Sequence, residues 1–403
     1  VVPSGAPLAV SALEAAAEAA IPGGVASTYL EPMAADRVAV FQVAGDEGSM
    51  TVLLNPYTGA VVDSFPWRAG WYDFATDIHG SLLMGDLGEW MFEAAWSLGV
   101  ILVVSGLWLH WPRRGATWRE TLLPKLTVTS RSAWKALHGA VGMWMSALLL
   151  VFLISGLSWA GIWGGKMVQA WSTFPAEKWD AVPLSDKTHA DMNHGAAKEV
   201  PWGLEQTPLP ESGSAAGAAG VDGAVTIDTV VAYARGLGFN GRFQLAIPAL
   251  DTSVWTISHD SMSNDGPDPS ADRTIHIDQF TGKILVDVGY ADYSAWAKTM
   301  AYGIAFHEGD MGLWNLALNT LFCLSMIFLP VSGLVMWWKR RPERAFRLAA
   351  PPAPQGLAFW WVAAALIVVL GLAFPLGGAA IAGVIVLDLV LLRHVPMLRR
   401  VLS

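Results

Sequence analysis

The imidazole and thiol side chains available to a metal here are nine histidines and one cysteine, Cys323. A lone cysteine excludes an intramolecular disulfide, a Cys-x-x-Cys-His attachment site and a multi-thiolate centre, so metal chemistry falls to imidazole. Three histidines stand beside long uncharged runs: His79 and His307 shortly before two of them, and His138 at the start of a third. An ionisable side chain at membrane depth is costly and is a functional candidate for that reason. Two imidazoles that face each other can supply both axial ligands of an iron porphyrin, which performs redox chemistry that side chains cannot. Capping of helix ends, or water binding at a lipid interface, would use the same two residues without chemistry.

The elements that must position these histidines are membrane spans. A chain of 403 residues with 53% hydrophobic and 15% charged residues and a mean hydropathy of +0.41 is too apolar for an ordinary soluble enzyme. Residues 94–111, 136–165 and 311–338 contain no Asp, Glu, Lys or Arg, and each run can cross a hydrocarbon layer of roughly 30 Å. A fourth run, 348–387, is interrupted at Phe374-Pro375-Leu376-Gly377-Gly378 and reads as two short spans joined by a turn. Positive charge orients them. Residues 112–135 carry six basic residues (Arg113, Arg114, Arg119, Lys125, Arg131, Lys135) against Glu120, residues 339–347 carry five against Glu343, and Arg393, Arg399 and Arg400 close the chain. These segments are expected in the cytoplasm. The first outer segment has eight acidic residues against Arg37 and Arg68, so the net charge of −9 sits outside and no nucleic-acid partner is expected.

The expected layout is an outer α+β domain (1–76), a transmembrane helix (77–111), a cytoplasmic loop (112–135), a second span (136–163), an outer segment with a linker and a second α+β domain (164–305), a third span (306–338), a cytoplasmic loop (339–356), two short spans (357–392) and a cytoplasmic tail (393–403). An outer domain needs export, so a further N-terminal helix preceding this sequence is expected. The fold class is an α-helical polytopic membrane protein with two extracytoplasmic α+β units. A repeat relates those units: Asn55-Pro56-Tyr57-Thr58-Gly59 matches Asp278-Gln279-Phe280-Thr281-Gly282, Gly85-Asp86 matches Gly309-Asp310, and Ser105-Gly106-Leu107 matches Ser332-Gly333-Leu334. The offsets stay between 223 and 227 residues, which indicates internal duplication. Each unit reads as an alanine-rich helix (11–20; 226–237) followed by strands such as 38–43 and 254–258, with the Thr-Gly pair turning the last hairpin. The small-residue stretch 211–220 has the composition of a mobile linker. His79 lies six residues before its Gly-Asp motif and His307 two, a difference of one helical turn that keeps both on one face if the segment is helical.

The remaining histidines have plainer readings. His110 is matched in the repeat by Trp337, which favours an aromatic-belt position over a ligand, and His394 reads as a polar interfacial residue. His189 and His194 could chelate a metal with Asp191, though solvated loops commonly carry such clusters; His259 and His276 fall in expected strands with no evident partner. Gly236-Leu237-Gly238-Phe239-Asn240-Gly241 fits a dinucleotide pattern but follows a helix and precedes a strand, the reverse of the order that aims amides at a pyrophosphate. It reads as a helix-ending turn. Trp67, Trp71, Tyr72, Trp296 and Tyr302 lie just outside the two outer histidines and either shape a substrate surface or pack the soluble parts against the membrane.

The two strand turns, the paired histidines, Leu137-His138-Gly139-Ala140-Val141-Gly142 and the Trp337-Trp338-Lys339-Arg340-Arg341-Pro342 stop together resemble the PepSY-associated transmembrane helix family over nearly the whole chain. More narrowly they resemble its FoxB-like ferrisiderophore reductases. The family usually opens with a further span carrying a Leu-His-Arg-Trp-like motif, absent here. The resemblance implies haem b, two per full-length protein, with His79 and His307 as axial ligands of one and His138 a ligand of the other, its partner coming from the absent helix or from His110. It implies an inner-membrane protein with periplasmic soluble domains, a cytoplasmic or membrane electron donor, a ferric siderophore as acceptor and no catalytic side chain beyond the iron ligands. Two rivals stand beside it: a PepSY-type binding or regulatory protein without redox activity, and a metal or siderophore transporter, for which Glu93 and Asp388 give little support.

Overall fold

The computed structural model describes residues 1–112, 117–123, 131–165, 182–193, 200–261, 265–340, 358–392 and 394–395. His194 and the basic residues Arg113, Arg114, Lys125 and Arg341 lie outside them. The chain forms two compact units, one from 1–79 with 169–315 and one from 80–168 with 316–403.

The first unit is built on a sheet; elements are numbered along the whole chain. Helix α1 (Val10–Ala19) buries Val10, Leu13 and Ala17, one stripe at helical spacing. Strands β1 (Val25–Leu30), β2 (Ala39–Gly45), β3 (Gly48–Leu54) and β4 (Val61–Pro66) form an antiparallel meander, and α2 (Trp71–Ser81) follows. Alternation in Ala39-Val40-Phe41-Gln42-Val43 places residues 39, 41 and 43 in the core, as period two requires. Two short strands, β5 (Leu184–Thr188) and β6 (Pro208–Pro210), pair separately. Helix α7 (Ile227–Gly236) then precedes a second meander of β7 (Gln244–Ala246), β8 (Val254–His259), β9 (Arg273–Asp278) and β10 (Ile284–Gly289), and α8 (Ala295–Glu308) closes the unit. The two meanders are not separate domains. They join edge to edge through β1 and β7 into one eight-stranded sheet of order β10-β9-β8-β7-β1-β2-β3-β4. One hydrophobic core spans both halves, from Leu13, Tyr29 and Phe41 to Val230, Phe243 and Ile275. A hydrogen bond from Ser11 to Asp228 ties α1 to α7.

The two Thr-Gly turns are built alike. The Asn55 side chain accepts from the Tyr57 amide and the Asp278 side chain from the Phe280 and Thr281 amides, while Gly59 and Gly282 sit at φ 70° and 68°, where a side chain is strained. The 211–220 stretch is not a mobile linker. Ser212 Oγ donates to the Ser253 carbonyl, the Gly213 amide donates to Asp278, and Ala218 bridges to Ile284, so the segment is laid along the sheet edge. Small residues serve close approach here: a Cβ on Gly217 would meet the Ile284 carbonyl oxygen at 2.6 Å. The 236–241 glycines end α7 and lead into β7.

The second unit is helical: α3 (Asp86–His110), α4 (Trp118–Leu122), α5 (Arg131–Leu157), α6 (Gly161–Trp163), most of α9 (Leu313–Arg340), α10 (Ala358–Ala373) and α11 (Pro375–Leu387). Among the described residues α3, α5 and α9 are long and apolar enough to cross a membrane. The first and third spans begin later than residues 77 and 306. Leu82, Leu83 and Gly85 take positive φ and end α2 before α3 starts, and Gly309 at φ 95° ends α8 before α9. Helix α5 begins at Arg131, five residues ahead of the expected start, and ends at Leu157 rather than 163. Pro375 opens α11, where its missing N–H is harmless, so 357–392 divides between Ala373 and Pro375.

Candidate functional site: paired imidazoles

His79 and His307 meet, with ring centroids 6.0 Å apart and planes inclined by 53°. They do so from two short helices, α2 and α8, that precede the spans rather than from the spans themselves. The matched Gly-Asp motifs therefore play different parts. Gly309-Asp310 caps α8, both amides donating to the Ala305 carbonyl, whereas Gly85-Asp86 opens α3, so the one-turn argument over a continuous helix does not apply. The Ser294 side chain caps the start of α8, and Ala297, Met300, Ala301, Ile304 and Ala305 form its buried face. His307 follows Ile304 by three residues and sits at the edge of that face, half-buried; burial, and then His79, hold its pKa below the usual imidazole value. Asn315, fully buried, fixes the helix end: its Nδ2 donates to the Phe306 carbonyl and its Oδ1 accepts from the Met311 amide. His79 remains exposed. A metal–imidazole bond of about 2 Å on each side, plus about 1.1 Å from nitrogen to ring centre, brings two axial imidazoles to about 6 Å between centroids. The spacing fits a shared metal.

In the helical unit, His138 Nδ1 lies 2.8 Å from Ser332 Oγ, which is itself 2.9 Å from the Leu329 carbonyl oxygen. With the hydroxyl proton on that carbonyl, Nδ1 donates and Nε2 keeps its lone pair, the state a metal ligand needs. Ser332 belongs to the Ser-Gly-Leu marker of the repeat; periodicity identified the marker but not this role. Gly139 does not leave open space, because the His110 imidazole lies directly against it where a Cβ would stand. Gly142 faces Leu329, 3.8 Å from its would-be Cβ. An open groove of about 230 Å³ lined by Leu137, Val141, Leu324, Ser325 and Phe328 starts at the residue before His138. His394 is exposed and its Nδ1 donates to the Val390 carbonyl, one turn back in its own chain.

A third imidazole pair went unread in the sequence. His189 is not on a solvated loop, and His276 has a partner: both are fully buried, with their Nε2 atoms 2.9 Å apart. The protons follow by elimination. The Thr207 carbonyl, 2.7 Å from His189 Nδ1, can only accept, so neutral His189 offers a bare Nε2; His276 Nε2–H donates to it, and His276 Nδ1 accepts from the Thr256 hydroxyl at 2.9 Å. Burial pushes His189 down to about 4 and His276 well below its usual value. The only hint in the sequence was His276 at an inward position of a strand. His259 Nδ1 donates to the Arg242 carbonyl.

A sheet-bearing unit on a chain with three membrane-length apolar helices among the described residues defines a membrane protein with α+β parts. The family model for the PepSY-associated TM region matches residues 1–340, so the chain belongs to that family. No curated protein matches it.

Proposed function

We propose that this protein carries haem b and passes electrons across a membrane to a ferric chelate, of the kind that FoxB-like ferrisiderophore reductases take. The observation that carries the reading is the 6.0 Å approach of His79 and His307, the spacing of two axial ligands. Haem supplies one-electron redox chemistry when bound. The chain's part is to hold two imidazoles in place: Ser294, Gly309 and Asn315 fix the helix carrying His307, and the Arg68–Asp77 ion pair at 2.6 Å braces the helix carrying His79. His138, whose Nδ1 lies 2.8 Å from Ser332 Oγ, would be a ligand of a second haem through Nε2; His110 is the neighbouring imidazole within this sequence. The repeat and the like order of the two meanders favour internal duplication. The basic loops favour a bacterial inner-membrane protein whose sheet unit is periplasmic and whose donor is cytoplasmic or in the membrane. An acidic exterior suits neutral or cationic ferric chelates better than anionic ones.

Replacing His79 or His307 by Ala should lower pyridine haemochrome content per polypeptide equally, the double variant should lose no more, and reduction of an external ferric chelate should collapse in all three. Additive losses would mean that the two histidines serve different sites. Purified protein without haem absorbance would favour a PepSY-type binding role.

A further inference from the structure

Helix α2 is amphipathic in the wrong sense for a soluble domain. Trp71, Phe74, Ala75 and Ile78, at spacings i, i+3, i+4 and i+7, are exposed, Trp71 to 85%. The polar residues Asp73, Thr76 and Asp77 are half-buried on the other side, where Asp77 pairs with Arg68. Exposed apolar surface on this scale marks a contact. We propose that the occupant is the bilayer itself: α2 lies along the membrane surface with its Trp71-Phe74-Ile78 face in the boundary between headgroups and acyl chains.

Three observations select lipid over a protein partner. Helix α3, a membrane-length span, starts at Asp86, five residues after α2 ends, so the chain holds the end of α2 within about 17 Å of the span's first residue. The exposed set combines Trp71 and Tyr72 with Phe74 and Ile78, the mixture that settles at lipid headgroup depth. Exposed aromatic rings also stand ahead of the α9 span: α8, which ends five residues before that span begins, exposes Trp296 and Tyr302 beside its buried face. Residues 71–81 contain no Lys or Arg, so attachment rests on apolar burial and needs no anionic lipid. The proposal is independent of what the imidazole pair binds.

The test places one bimane fluorophore on the full chain in phosphatidylcholine nanodiscs, in a Cys323→Ser background. With Ile78→Cys as the labelling site, a 5-doxyl lipid should quench at least about threefold more strongly than at the exposed strand site Ser64→Cys, and iodide in the buffer should quench correspondingly less. Strong iodide quenching with no lipid quenching at position 78 would place the face in water and overturn the proposal. Protection from both quenchers would overturn it too, because protein would then cover the face.

Discussion

Among single residues, the pair His189–His276 carries a consequence for acid stability. Both imidazoles are neutral in the folded chain, with protonation suppressed to about 4 at His189 and well below the usual imidazole value at His276. The unfolded chain protonates near 6.5, so the pair's contribution is complete above that pH and is lost as pH falls from about 6.5 to 4. A His276→Gln variant should be less stable than the parent at pH 7, and the gap should narrow at pH 5, because the parent loses the contributions of both imidazoles over that interval and the variant that of His189 alone. Thermal unfolding followed by near-UV circular dichroism at the two pH values measures it; a constant gap would mean that the pair does not titrate as described. Burial, then the Asp260 carboxylate, pushes Asp272 up to about 8, which has the opposite sign. Its folded form keeps a proton that the unfolded chain releases near 3.8, so stability is lost as pH rises toward 8. Asp272→Asn should flatten the decline in melting temperature between pH 6.5 and 8. At His138 the consequence concerns orientation. Ser332→Ala would remove the partner of the half-buried His138 Nδ1 and should loosen the imidazole's orientation. Under the proposed function, haem content assigned to His138 should fall while that of the His79–His307 pair stays.

At the level of elements, the same turn built twice gives a graded expectation. A Cβ on Gly282 would meet the Val221 carbonyl oxygen at 2.5 Å in addition to the strain of φ 68°, whereas on Gly59 it would meet only the end of Leu8 at 3.3 Å. Gly282→Ala should therefore cost at least about 2 kcal/mol and Gly59→Ala about 1–2, compared by the melting of the sheet unit. Much at this level was legible in the sequence. Alternation located the strands, alanine-rich stripes located α1 and α7, and the apolar runs located α3, α5 and α9. The errors lie where local pattern and chain path disagree. A hydrophobic run does not reveal that Leu82 and Leu83 will take left-handed conformations and cut α2 from α3. The small residues of 211–220 look like a flexible tether because composition does not distinguish a free segment from one pressed against a strand. His79 and His307 could be paired through the repeat, but Ser332 and His276 act through partners 194 and 87 residues away, which no local pattern reveals.

For the molecule as a whole, the unforeseen fact was that two meanders make one sheet. Tyr29 and Phe243 are fully buried in a core to which both halves contribute. Replacing either by Ala should lower the same cooperative transition, each by roughly 3–5 kcal/mol. Two separable transitions, each moved by one substitution, would mean that the halves fold independently. The pairing of Arg235 with Glu31 at 2.7 Å, across 204 residues of sequence, crosses the same join.

That join also sets a schedule for biogenesis. Strand β1 pairs with β7 over Thr28↔Ala246, Tyr29↔Leu245 and Leu30↔Gln244, so its outer edge has no mate until more than 200 further residues, including two membrane spans, have left the ribosome. At about 5–20 residues per second the first meander waits roughly 10–40 seconds with a raw strand edge and half a core. During that interval the open edge of β1 can template misplaced strand pairing.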